Sequence, residues 1–175
     1  MKVDLPSVII SFFALATFFV PITWYHISEK AKVKKLTEIL NQFANEKNIS
    51  LTNHEIWGDF YAFGIDEKSK KLLYVKANKD NEEKIFVDLS EIDNCKVVNG
   101  SKNIRGAKGN VSFTNNIRLQ LHYKTSGKAS EFLEIYDGEN GKSLTSEISI
   151  ANKWSRKISS LLHKRSESRY KLPLI

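Results

Sequence analysis

Residues 55–66 read EIWGDFYAFGID, pass through a polar turn at 66–70 (DEKSK), and continue at 71–77 as KLLYVKA. In the first run Trp57, Asp59, Tyr61, Phe63 and Ile65 alternate with Ile56, Gly58, Phe60, Ala62 and Gly64, the two-residue period of extended chain. Aromatic side chains fall on both faces, which predicts one long strand that bends or is covered twice. The turn and the second run predict an antiparallel partner. This pair sets the pattern for everything that follows.

After a polar turn at 78–83, residues 84–89 (KIFVDL) predict a third strand and residues 94–98 (NCKVV) a short fourth. Residues 100–110 hold three glycines and predict a loop. Residues 111–113 and 117–123 (IRLQLHY) predict one or two strands, and 131–136 (EFLEIY) another. Consecutive strands joined by short turns make an antiparallel meander rather than alternating βα units. Residues 146–165 then change period. Ile148, Ala151, Trp154, Ile158, Leu161 and Leu162 share one face, opposite Lys153, Arg156, Lys157 and Lys164, which predicts an amphipathic helix capped by Ser146.

This arrangement resembles the pleckstrin-homology-like (PH-like) superfamily, a bent antiparallel sheet closed by one C-terminal helix that commonly carries a packed Trp with an apolar residue one turn later. Trp154 and Ile158 fit those places. The resemblance implies an α+β chain with a sheet or barrel of six or seven strands, and gives Trp154 and Ile158 a structural role. Lipid-binding members carry a basic cluster in their first two strands; here Lys68, Lys70 and Lys71 stand beside Asp66 and Glu67. The whole chain is also similar to small bacterial membrane proteins of unassigned role with this layout.

The membrane part comes from the other end of the sequence. Residues 5–28 (LPSVIISFFALATFFVPITWYHIS) contain no formal charge, and about 20 apolar helical residues cross a bilayer core. Trp24 and Tyr25 suit a headgroup level, and Lys30, Lys32, Lys34 and Lys35 follow. A cleaved signal peptide is the competing reading, but the small-x-small triplet Ala14-Leu15-Ala16 lies inside the apolar run rather than after it. The expectation is a single-pass transmembrane helix over 1–28 with the C-terminal domain in the cytoplasm, since the lysines cluster behind it. Residues 29–50 are then a juxtamembrane amphipathic helix, striped by Val33, Leu36, Leu40, Phe43 and Ala44, and 51–165 the β domain with its helix.

Charge is uneven along the 175 residues. The total is +7, and residues 151–175 alone set seven basic side chains against Glu167. Residues 166–175 form a basic tail. A basic excess beside the bilayer and at the end, rather than on the folded body, argues for anionic surfaces and against nucleic acid. Lys30, Lys32, Lys34, Lys35, Arg156, Lys157, Lys164, Arg165, Arg169 and Lys171 are the candidate surface-contact residues. The plain alternative is that these lysines and arginines are only a solvated face.

Chemistry is harder to find. Residues 137–143 end in Gly-Lys-Ser, yet Tyr136 stands where a phosphate-binding loop needs its first glycine. His26, His54, His122 and His163 lack zinc spacing, and Cys95 is the only cysteine, so no intramolecular disulfide forms. The reading is a non-enzymatic, membrane-anchored binding module without a cofactor, in contact with the lipid bilayer and a protein partner. The alternative is a structural or assembly protein, a homo-oligomer formed through the span and the juxtamembrane helix.

Overall fold

The structure is a computed structural model describing the backbone of residues 5–78, 81–106, 109–138, 144 and 146–167. Side chains are described for residues 15, 17–20, 29–78, 81–102, 114–138, 144 and 146–163. Helix α1 (Leu5–Glu46) leads into strands β1 (Asn53–Trp57), β2 (Tyr61–Asp66), β3 (Lys71–Ala77) and β4 (Glu82–Asp88). A 3-10 turn (Leu89–Glu91) precedes β5 (Ile92–Gly106), β6 (Gly109–Tyr123) and β7 (Glu131–Asp137), and helix α2 (Glu147–Glu167) follows. All pairings are antiparallel, in two separate sheets: β1-β2-β3-β4 and β5-β6-β7.

The expected single bent sheet or barrel of six or seven strands is therefore corrected to two separate sheets, of four and three strands. Among the described residues no ladder joins them, and side chains make the polar links between them. Trp57 Nε1 donates to the carbonyl of Ile135 at 2.9 Å, and Tyr61 donates its hydroxyl to Glu134 at 2.8 Å. Lys76 reaches the same Glu134 carboxylate at 2.6 Å.

The single strand expected over 55–66 is in fact a hairpin. Gly58 (φ 61°) and Asp59 (φ 64°) both take the left-handed conformation that reverses the chain between β1 and β2. The loop expected over 100–110 is likewise the far end of a long hairpin, with β5 and β6 paired out to Gly106 and Gly109. Gly100 sits at a register shift there, where an added Cβ would lie 2.4 Å from Asn116 Oδ1.

Two hydrophobic cores result, one on each face of the first sheet. Between the sheets lie Phe63, Ile65, Leu72, Tyr74, Leu119, Leu121, Leu133 and Ile135, and α2 covers them with Trp154 and Ile158 at 1% and 0% exposure. On the opposite face, Leu36, Leu40, Phe43 and Ala44 of α1 pack against Ala62, Leu73 and Val75. Strands β2 and β3 are thus covered twice. That explains why apolar residues run through both of their faces. Gly64 makes the close approach possible, since a Cβ there would meet Leu51 Cδ2 at 2.9 Å and Leu40 Cδ1 at 3.1 Å.

The expected membrane span is corrected too. The anchor and the juxtamembrane helix are one continuous 42-residue helix, and among the described residues no helix is long and apolar enough to cross a membrane. From residue 29, where its side chains are described continuously, the helix carries Glu29, Lys30, Lys32, Lys34, Lys35 and Glu38, and that part is too highly charged to lie in a bilayer core. Within residues 5–28 the side chains other than those at 15 and 17–20 lie outside the described residues. The single-pass, cytoplasm-facing placement rested on that span and falls with it.

Candidate functional site

The second half of α1 carries the site because its lower stripe binds the sheet while one end overhangs it. Lys32, Lys35, Leu36 and Ile39 stand at helical spacings of three and four, so they share one side of the helix. Opposite them the β1–β2 turn supplies Asp59 and Phe60, and the end of β3 supplies Ala77, followed by Asn78. Ala77 N donates to Phe60 O at 2.8 Å and holds this wall together. The two walls enclose a cleft of about 270 Å³ lined by these eight residues.

Its floor is apolar and its rim is charged. Leu36 is buried, whereas Ile39, Phe60 and Ala77 remain partly accessible. Lys32 Nζ reaches across the mouth to Asp59 Oδ2 at 3.0 Å and also to Glu29 at 3.4 Å. The bond to Asp59 holds the Lys32 ammonium above its ordinary pKa, against a smaller opposing effect of burial. Lys35 is exposed and has no ion-pair partner among the described residues.

The wall opposite α1 is braced from behind. Trp57 stacks on Tyr61 with ring centroids 5.6 Å apart, and both are bonded to β7 through Ile135 and Glu134. The turn bearing Asp59 and Phe60 therefore springs from the corner where the sheets are tied together. A wider depression of about 910 Å³ lies at the end of α1, bordered by Asn41, Asn45 and Asn48. It is shallow and open, so a ligand there would remain mostly in water. A third hollow of about 180 Å³ is lined by the polar residues Lys76, Asn78, Asn81, Glu83 and Asp137.

The predicted contact residues divide between these surfaces. Lys32 and Lys35 meet at the cleft. Lys30 is exposed on α1, and Lys34 lies 3.9 Å from Glu38. On α2, Arg156 is exposed, while Lys157 pairs with Glu67 at 2.7 Å. Lys153 and the Trp154 indole share the Glu55 carboxylate, at 2.9 and 2.6 Å, which fastens α2 to β1. The side chains of Lys164 and Arg165, and all of Arg169 and Lys171, lie outside the described residues. Asp59, Phe60 and Ala77 were missed in the sequence. The Gly58-Asp59 pair was the available signal, since that dipeptide between two strand-like runs marks a hairpin turn.

The remaining chemical candidates sit elsewhere. Cys95 is buried, and burial pushes its thiol up to about 11, partly offset by a hydrogen bond with Ser155. A thiol held protonated is a poor nucleophile. Ser130 Oγ lies 3.0 Å from His122 Nδ1, but neither residue borders a cavity described above. Among the described residues no group of three or more His, Cys, Asp or Glu is placed to hold a metal ion. Residues 139–143 of the Gly-Lys-Ser stretch lie outside the described residues. Comparison with known protein families, with characterised proteins and with solved structures finds no match for this chain.

Proposed function

We propose that the chain is a non-catalytic binding module whose cleft between α1 and the β1–β2 turn receives a segment of another protein. The observation that carries this reading is the cleft's makeup: accessible Ile39, Phe60 and Ala77 form an apolar floor beside Lys35, which has no ion-pair partner among the described residues. An apolar recess with a few placed polar groups is the usual form of a recognition site. The order of four strands, three strands and a terminal helix with a buried Trp154 also supports the PH-like resemblance. Selection of random displayed peptides on the full chain tests the reading. Peptides should be enriched, and their binding should be lost in Ile39→Glu and in Ala77→Gln. If nothing is enriched, or if both folded variants retain every selected peptide, the cleft is not a binding site.

A second reading, assembly of several copies through α1, has its own support. Leu15, Phe18, Phe19 and Val20 are 55–66% exposed along one stretch of that helix, an apolar surface that association of copies would cover. Sedimentation of the full chain and of a chain lacking residues 1–28 tests it. The reading requires a larger species that disappears on truncation, and a monomer in both cases removes it.

A further inference from the structure

Resting on the reading of the cleft as a protein-binding site, we infer that its occupant is an acidic segment: one apolar side chain enters between Ile39 and Phe60, with a neighbouring carboxylate on Lys35 and Lys32.

Size sets the first limit. At about 270 Å³ the cleft is smaller than the ~300–1,000 Å³ that drug-sized ligands and cofactors fill, so it suits one or two side chains. The rest of the occupant must lie across the rim, where charge decides. The rim holds two ammonium groups and one carboxylate. Asp59 is already engaged by Lys32, whereas Lys35 has no described partner. A basic segment would meet Lys35 directly, and would reach Asp59 only by displacing Lys32. An acidic segment meets Lys35 without any rearrangement, and its second carboxylate would compete with Asp59 for Lys32.

That competition makes the inference specific. Asp59 becomes an internal mimic of the occupant's acid group, so removing its charge should strengthen binding rather than weaken it. Asn tolerates the positive φ of position 59, so Asp59→Asn preserves the turn.

Two peptide pools with the same apolar diversity test this, one flanked by Asp and Glu and the other by Lys and Arg, each selected on the full chain. The acidic pool should be enriched and the basic pool not, with binding dependent on Ile39. An acidic peptide from that pool, followed by fluorescence anisotropy, should bind roughly two- to fivefold tighter to Asp59→Asn, the range of an exposed charge pair. It should bind Lys35→Glu severalfold more weakly, and its affinity should fall as salt rises. Equal or greater enrichment of the basic pool at an Ile39-dependent site overturns the inference but leaves the cleft a binding site. So does an Asp59→Asn variant that binds the acidic peptide equally well or less tightly. Enrichment of neither pool, or enrichment insensitive to Ile39→Glu and Ala77→Gln, overturns the underlying reading as well.

Discussion

Trp57 and Ile135 lie 78 residues apart in sequence, yet the indole nitrogen of one donates to the main-chain carbonyl of the other at 2.9 Å. Their bond ties the first sheet to the last strand where no backbone ladder does. The same corner carries the turn of Asp59 and Phe60, so the wall of the cleft is anchored in the junction of the two sheets.

Replacing Trp57 by Phe keeps most of the apolar packing and leaves the Ile135 carbonyl without its donor. The expected cost is about 1–3 kcal/mol, the penalty of an unsatisfied buried polar group. Urea unfolding checks it: the midpoint should fall with the slope unchanged. An unchanged midpoint would mean that the bond contributes nothing to joining the sheets.

The closing helix should depend on Trp154 more heavily. Its ring lies 4.8 Å from that of Phe63, and it is 1% exposed. Trp154→Ala should cost about 3–5 kcal/mol. Glu55→Gln leaves the ring in place and loosens its polar anchor, so it should cost less than Trp154→Ala in the same thermal melts. If the two variants melt together, packing of the ring is not what holds α2.

Acid should weaken the fold in a defined window. Ser69 and the backbone of the β2–β3 turn hydrogen-bond Asp66 and hold its carboxyl below the ordinary range, with burial opposing them. At Asp88, burial pushes the carboxyl up, but bonds from Lys71 and Ser90 outweigh it and the net shift is down. Both groups bind protons more readily when unfolded, so their contribution is fully present above the unfolded value of ~3.9 and is lost as pH falls through the lower folded values. Urea midpoints measured between pH 6 and pH 2 should decline below about pH 4. The decline should be shallower in an Asp66→Asn, Asp88→Asn double variant; parallel curves would contradict the assignment.

The seat of α1 on the sheet is tested at Gly64. Valine there would press on Leu40 and Leu51 and force the helix outward, at a cost of about 1–3 kcal/mol. Hydrogen exchange in residues 36–44 should speed up more than exchange in β6. Uniform acceleration would mean that α1 does not open independently of the sheets.

The strands were legible where one periodicity governed them. The run 117–123 alternates cleanly and lies within β6, and Trp154 and Ile158 lie on the stripe that α2 buries. The hairpin hidden in 55–66 was missed because alternation continues through the Gly58-Asp59 turn without a break. Aromatic content on both faces stood out, but its cause, a helix packed on the outer face of β2 and β3, depends on contacts distant in sequence. The glycines near 100–110 read as a loop because a glycine at a register shift and one at a hairpin end look alike in sequence. Of the cleft, the sequence marks Lys32 and Lys35 by their charge and Leu36 by its place on the apolar stripe. Phe60 and Ala77 become neighbours only through the pairing of β2 with β3.

The most direct test of the central claim is amide chemical-shift mapping of the full chain with a peptide selected on it. Shifts concentrated at Leu36, Ile39, Phe60 and Ala77, and abolished by Ile39→Glu, are the predicted result. Shifts concentrated instead at Arg118, Gln120 and Phe132 on the second sheet, with those four residues unmoved, would contradict it.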